Sequence, residues 1–390
     1  MYYTDRRGTG CCKWDDLQQQ FGHSEMIAMW VADMDFRVPQ AVTEALAERV
    51  RQGVFGYTIP QPSSYLKAFC HWEEHRHGVI LSPEQIRYSP GVVSAIHRCI
   101  QAFTEENDSI IINTPVYYPF ARAVRTLRRN LICNELICTE GKYTIDMAAF
   151  EAQIRENSVR MFILCSPHNP VGRVWRWEEL ETLFAICAKY DVMILSDEIH
   201  QDFVYGAHRH TASFLVGECR YKDRLVLLTS ASKTFNLAGL KNAFVVIPSD
   251  DLRRRFDEFS LTVSDNEGCI FGYTATEAAY RYGEEWLTDL KAVIFENYEY
   301  ASERFQKELP QAVVSPLEGT YLMWVDLGAY VTPETIEEVI RDRALVAVDF
   351  GSWFSDSCPT CIRLNLATSM EHVKNALDAI FRQILSAHPL

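Results

Sequence analysis

The strongest constraint on the fold is a rhythm in the middle of the chain. Short apolar runs recur at Ser109–Ile112, Met161–Cys165, Val192–Leu195, Leu225–Leu228 and Phe244–Ile247. They are rich in Ile, Val and Leu and do not alternate with polar residues, which is how strands buried on both faces read. Helical patterns lie between several of them. Trp177–Lys189 places Leu180, Leu183, Phe184 and Cys187 on one stripe. Strands alternating with helices predict an α/β fold with a mostly parallel sheet flanked by helices.

The C-terminal part has a different texture. Thr320–Asp326 and Cys361–Leu366 look like strands. Met370–Leu385 looks like an amphipathic helix, with Val373, Leu377, Ile380, Phe381 and Ile384 on one face. Glu284–Leu309 is charged and helical in pattern, a passage into a second unit. A chain of 390 residues exceeds the roughly 250–300 at which one core stops growing. The expected division is a large domain over 46–284 and a smaller α+β domain built from both chain ends, 1–45 and 285–390.

A net charge of −14 argues against a nucleic-acid partner. The local basic run Arg122–Arg129 reads as the solvated face of a helix. No apolar leader follows the polar start, and no apolar stretch approaches the ~20 residues of a membrane span. The 12 cysteines are therefore expected to be reduced and the protein cytoplasmic. Cys358-Pro-Thr-Cys361 lacks a second ligand pair for zinc and reads as a loop. Asp33 and Asp35 could form an acidic pair, but nothing fixes their direction, and Asp35 reads as a cap or turn residue. No metal site is expected.

In open parallel sheets ligands bind beyond the carboxyl ends of the strands. After Ile112 comes Asn-Thr-Pro-Val-Tyr117-Tyr118. After Cys165 comes Ser-Pro-His-Asn169. After Leu195 comes Ser-Asp197-Glu-Ile-His200. After Leu228 comes Thr-Ser230-Ala-Ser232-Lys233. An aromatic ring, an amide, an acid and a lysine thus converge on one sheet edge, and together they fit pyridoxal 5′-phosphate (PLP). Lys233 would form an imine with its aldehyde. Asp197 would keep the pyridine nitrogen protonated so that the ring acts as an electron sink. Asn169 would donate to the ring oxygen, and Tyr117 would stack on the ring, with Tyr118 as the alternative. Ser230, Ser232 and Lys241 would serve the phosphate. Ser89-Pro-Gly91 reads as a turn opening a helix whose Val92 and Val93 amides face the anion.

Ser-x-Ser-Lys-Thr-Phe-Asn, Ser-Pro-His-Asn-Pro-Val-Gly and Ser-Asp-Glu-Ile-His, in the order in which the chain carries them, resemble the fold-type I, class I/II aminotransferase superfamily. Met29–Phe36, Gly56-Tyr-Thr58, Ser89–Val93, Thr114–Phe120 and Asn236-Leu-Ala-Gly239 are similar to its cystathionine β-lyase (C–S lyase) branch, of the MalY/PatB type. The resemblance runs from about Trp30 to Arg363. It implies the aspartate aminotransferase-like PLP fold, with Lys233 as Schiff-base lysine and proton shuttle. Asp197 and Asn169 would hold the ring and Tyr117 would stack on it. Tyr57 would reach the phosphate of the neighbouring subunit's cofactor, which implies a homodimer with shared sites. Arg363 would clamp the substrate α-carboxylate, beside Asn169 and the partner's Tyr57. Two positions depart from the wider family. His200 stands where many aminotransferases have a tyrosine on the ring oxygen, as in the lyase branch, and could also be a satisfied core histidine. Lys241 stands where many have a phosphate-binding arginine.

The expected reaction is α,β-elimination of L-cystathionine, L-cysteine or a related S-substituted cysteine to a thiol, pyruvate and ammonia. Transamination between an amino acid and a 2-oxo acid is the rival, because the same strand-end residues serve both. A regulatory binding protein on the same fold is the reading from another class; the acidic charge and the intact Lys233 speak against it. Side-chain preference would lie with loops around Trp30, Phe354 and the partner's Tyr57.

Overall fold

The computed structural model describes residues 1–59, 61–263 and 267–387. Its centre is a seven-stranded sheet. The strands are β1 (Ile86–Ser89), β2 (Ser109–Thr114), β3 (Asn130–Glu135), β4 (Val159–Cys165), β5 (Met193–Asp197), β6 (Leu225–Thr229) and β7 (Ala243–Val246). Their order is β1-β7-β6-β5-β4-β2-β3. The five strands from β6 to β3 are parallel to their neighbours, and β7 runs antiparallel to both β1 and β6. Each expected apolar run forms a strand. The direction of β7 and the existence of β1 were not legible, since an apolar run does not encode its direction and β1 carries the polar Arg87 and Ser89.

Alternate residues of the central strands enter different apolar clusters. Ile111, Phe162, Leu164 and Ile194 pack on one face, and Ile110, Ile112, Ile163 and Leu195 on the other. Both faces are covered, so the carboxyl edge is the place where polar groups can converge.

The helices used below are α1 (Gln40–Gln52), α2 (Val92–Phe103), α3 (Ile270–Tyr282), α4 (Glu284–Glu308) and α5 (Met370–Ala387). A second, antiparallel sheet has the order Val313–Val314, Leu322–Asp326, Cys361–Asn365, Asp349–Phe350. Ile27–Ala28 pairs with Val346–Ala347. Trp14, Leu17 and Met26 from the chain start share one apolar cluster with Val373, Leu377 and Phe381 of α5. A division at 45/46 falls inside α1, which packs on α3, so a break there would cut a helix. The basic run is also only partly helical. The helix Pro119–Thr126 carries Arg122 and Arg125, and Arg129 lies beyond it, donating from Nη2 to Thr104 O at 2.6 Å.

Asp35 is neither a cap nor a turn residue. It is fully buried, as is Lys13, and the pair meets at 2.6 Å while Trp14 Nε1 donates to the other carboxylate oxygen at 3.0 Å. Asp33 is bound by Arg6 at 2.8 Å. Among the described residues no helix is long and apolar enough to cross a membrane.

Candidate active site

A cavity of about 490 Å³ opens at the carboxyl ends of β2, β4, β5 and β6. Tyr117, Asn169, Asp197, His200, Ser232, Lys233, Val92, Val93 and Lys241 all line it. Tyr118 does not. Its ring packs edge-on against Trp353 and Phe354, which leaves Tyr117 as the ring at the cavity. The fold brings these residues together because each strand ends at the same edge and the chain then turns at once. Asp197 is the last residue of β5, and Lys233 sits in the single helical turn Ala231–Thr234 after β6.

Ser230 is placed differently from the expectation. Its hydroxyl donates to Asn242 O at 2.5 Å and accepts from Ser232 N at 3.0 Å, so it caps the turn that carries Lys233 and does not line the cavity. Arg363 also lies behind the lining residues. It is 2 % exposed, donates from Nη1 to Asn169 Oδ1 at 2.8 Å and from Nη2 to Trp30 O at 3.2 Å, and pairs with Asp349. Tyr57 stands fully exposed, outside the cavity of its own chain, in a segment where Val54, Phe55 and Ile59 are exposed too.

Several groups at the cavity had no sequence signal, or a weak one. The backbone carbonyl of Ala32 accepts from Lys233 Nζ at 2.5 Å and from Tyr321 Oη at 2.8 Å. Asn365 Nδ2 bonds Val31 O and Asp33 O at 2.7 and 2.6 Å, holding this strap in place. Ser94 lines the cavity beside Val93; its signal was its place in the first turn after Gly91. Asp349 faces Arg363 in strand register.

Burial shapes the charges. It pushes the Lys233 ammonium down to about 8, with Arg363 adding to the effect and Asp33, Asp197 and Asp349 opposing it. Burial pushes the Asp197 carboxyl up to about 7, against a hydrogen bond from Ile199 N at 3.1 Å and the Lys233 charge. Burial, then Lys233 and Arg363, hold the His200 imidazole well below its usual range, so it is neutral. His200 Nδ1 is buried without a hydrogen-bond partner among the described residues. Its ring packs edge-on against Tyr321 at 5.4 Å.

This donor set fits PLP. Asn169 has committed its oxygen to Arg363, leaving its amide N–H₂ to donate. Among the described residues no cation is bonded to Asp197, and a protonated pyridine nitrogen would supply one. The first-turn amides of α2 have no intrahelical acceptor, and Val92 and Val93 line the cavity with Ser232 and Lys241, a setting that suits an anion. A lysine amine lowered to about 8 is one that can be neutral and nucleophilic.

Comparison with known proteins agrees. The family described as aminotransferase class I and II matches residues 24–380. The cystathionine β-lyase PatB of Bacillus subtilis is 38 % identical over 378 residues, covering 96 % of this chain and 97 % of that protein. Cystalysin from Treponema denticola, solved with a pyridoxal 5′-phosphate cofactor, superposes with a TM-score of 0.95 at 32 % identity, covering 99 % of this chain and 98 % of its own. The PLP-bound C–S lyase from Staphylococcus hominis does so with a TM-score of 0.92 at 31 % identity, covering 98 % and 97 %. The chain belongs to the class I and II aminotransferase family, with the PLP-dependent fold of that family. Its cofactor is PLP.

Proposed function

We propose that this chain is a carbon–sulfur β-lyase that cleaves L-cystathionine, or L-cysteine and related S-substituted cysteines, to a thiol, pyruvate and ammonia. The observation that carries the reading is the 38 % identity to a cystathionine β-lyase over 96 % of the chain. The meeting of Tyr117, Asn169, Asp197 and Lys233 at one cavity supports it.

When bound, the cofactor supplies an electrophilic carbon for an amine and a ring that withdraws electrons from the substrate Cα. The chain does the rest. The amides of Val92 and Val93, the Ser232 hydroxyl and the Lys241 ammonium hold the phosphate. Asp197, ionised once it faces a cation, keeps the ring nitrogen protonated. Asn169 Nδ2 donates to the ring oxygen, and Tyr117 covers one ring face. His200, neutral and with Nδ1 buried and unpartnered among the described residues, lines the same cavity. Arg363 anchors the substrate α-carboxylate through its fork, sharing it with Asp349. Lys233 Nζ takes the Cα proton, and Ala32 O fixes where that nitrogen sits. The sulfur substituent leaves Cβ and takes up a proton as the thiol, and one water hydrolyses the 2-aminoacrylate that remains to pyruvate and ammonia.

We also propose a homodimer in which Tyr57 reaches the partner's phosphate site. An exposed run holding Val54, Phe55, Tyr57 and Ile59 is the kind of surface that a second subunit covers.

The test is to incubate the purified holoenzyme with L-cystathionine and to follow pyruvate and free thiol together. Equal amounts over many turnovers support the lyase. A single turnover, restored only by adding a 2-oxo acid, would make the enzyme an aminotransferase.

A further inference from the structure

The cysteine pair in Cys358-Pro-Thr-Cys361 has no part in the Lys233 cavity. Cys361 N donates to Cys358 O at 3.2 Å, closing a tight turn. Such closure keeps the end Cα atoms within roughly 7 Å, and a disulfide needs about 4.4–6.8 Å. Both thiols are free. Gly351 clamps the turn from behind: a Cβ added there would lie 2.7 Å from Cys361 Cβ.

The pair is 7 % and 3 % exposed, yet it is reachable. Cys358 and Cys361 line a separate cavity of about 200 Å³ together with Ser357, Thr360 and the exposed Cys138. The two sulfurs differ in character. The neighbouring Cys361, with help from Ser357 at 3.7 Å, holds the Cys358 thiol below its usual range against burial, Glu135 and Asp326. Cys358, then burial, pushes the Cys361 thiol up. A thiol held low beside a thiol pushed up is the asymmetry that thiol–disulfide exchange uses. Among the described residues no cluster suits a metal ion.

We propose that Cys358 and Cys361 form a redox-active dithiol that exchanges with small organic disulfides entering this cavity. The Cys358 sulfur attacks one sulfur of the small disulfide, whose S–S bond breaks and releases one thiol. The Cys361 sulfur then attacks Cys358 in the mixed disulfide, and the second thiol leaves. The protein loses two hydrogens and the small disulfide gains them. The proposal concerns this pair alone and stands whichever reaction Lys233 supports.

Glutathione disulfide is the probe, applied to folded holoenzyme, with thiol alkylation and peptide mass spectrometry as readout. The expected result is a Cys358–Cys361 cross-link, two glutathiones released per chain, and reversal by dithiothreitol. Cys138→Ser should behave as wild type, and Cys361→Ser should trap glutathione on Cys358. No cross-link in wild-type enzyme that keeps its visible absorption overturns the proposal, as does a cross-link or trapped adduct through Cys138 instead. The wild-type measurement decides even if a serine variant fails to fold.

Discussion

Asp35 fastens the strap that delivers the Ala32 carbonyl to Lys233, and its loss is expected to be costly. It lies three residues beyond Ala32, is fully buried, and bonds Lys13 at 2.6 Å and Trp14 at 3.0 Å, while its amide donates to Ala367 O at 3.1 Å. Asp35→Ala strands the Lys13 ammonium in a dry interior, which costs about 3–5 kcal/mol. An unfolding entropy of ~2.1 cal/mol/K per residue gives ~0.8 kcal/mol/K for 390 residues, so the melting midpoint should fall by ~4–6 °C. Circular dichroism during heating of the holoenzyme near neutral pH measures this. Lys13→Met with Asp35→Ala should recover much of the loss, because no lone charge is then buried. The pH dependence has a defined sign. Burial raises the Asp35 carboxyl, but the Lys13 charge and the bonds from Lys13 and Trp14 outweigh it and hold it low. A depressed carboxyl stabilises above its unfolded value of about 3.9 and loses that contribution as pH falls through the lower folded value. The gap between wild type and Asp35→Ala should therefore close in acid. A variant that melts within ~1 °C of wild type at neutral pH would refute the reasoning, since an unpaired buried ammonium is worth several times that.

Three further outcomes can be checked. Cofactor uptake by the cofactor-free enzyme should quicken through pH about 8 and level off above it, because only the neutral Lys233 amine attacks an aldehyde; a flat profile in stopped-flow absorbance contradicts this. Asp349→Asn should lower KM for the amino-acid substrate while lowering the melting point, since burial holds the Asp349 carboxyl up near 6 and it competes with the substrate carboxylate for Arg363; a raised KM with unchanged stability points the other way. Tyr57→Ala and Lys233→Ala, each weakly active or inactive alone, should recover about a quarter of wild-type activity when co-expressed as mixed dimers. No recovery, with mixed dimers shown to be present, removes Tyr57 from the shared site.

The placement of the strand-end side chains was legible in the sequence, and the placement of their partners was not. Tyr117, Asn169 and Lys233 follow strands buried on both faces and Asp197 ends one, and such a strand can present polar groups only at the sheet edge. The strand pattern therefore located them. Ala32 contributes a backbone oxygen, which every residue has, so its role left no trace in residue type. Asp35 meets Lys13 across 22 positions of sequence, and Asp349 meets Arg363 through strand register; both needed the packing of the second sheet and the chain start. Ser230 misled for a related reason. A serine at a helix start serves an anion or caps the helix with the same hydroxyl, and the sequence Ser-Ala-Ser-Lys is the same in both cases.

The cavity's charges also explain why its ionisable residues sit where they do. Asp197 near 7, Lys233 near 8 and Asp349 near 6 are all drawn toward neutrality by burial. Asp197 and Asp349 are poised to be set by what enters: a cation beside Asp197 would drive it to the carboxylate, and a carboxylate at Arg363 would drive Asp349 toward the acid. His200 stays neutral throughout, because Lys233, Arg363 and burial all disfavour its cation. On the proposed function, the site would take in a phosphate, a ring cation and a carboxylate without leaving an unmatched charge buried. A site of fixed, unpaired charges would meet that demand only at a desolvation cost of several kcal/mol per ion.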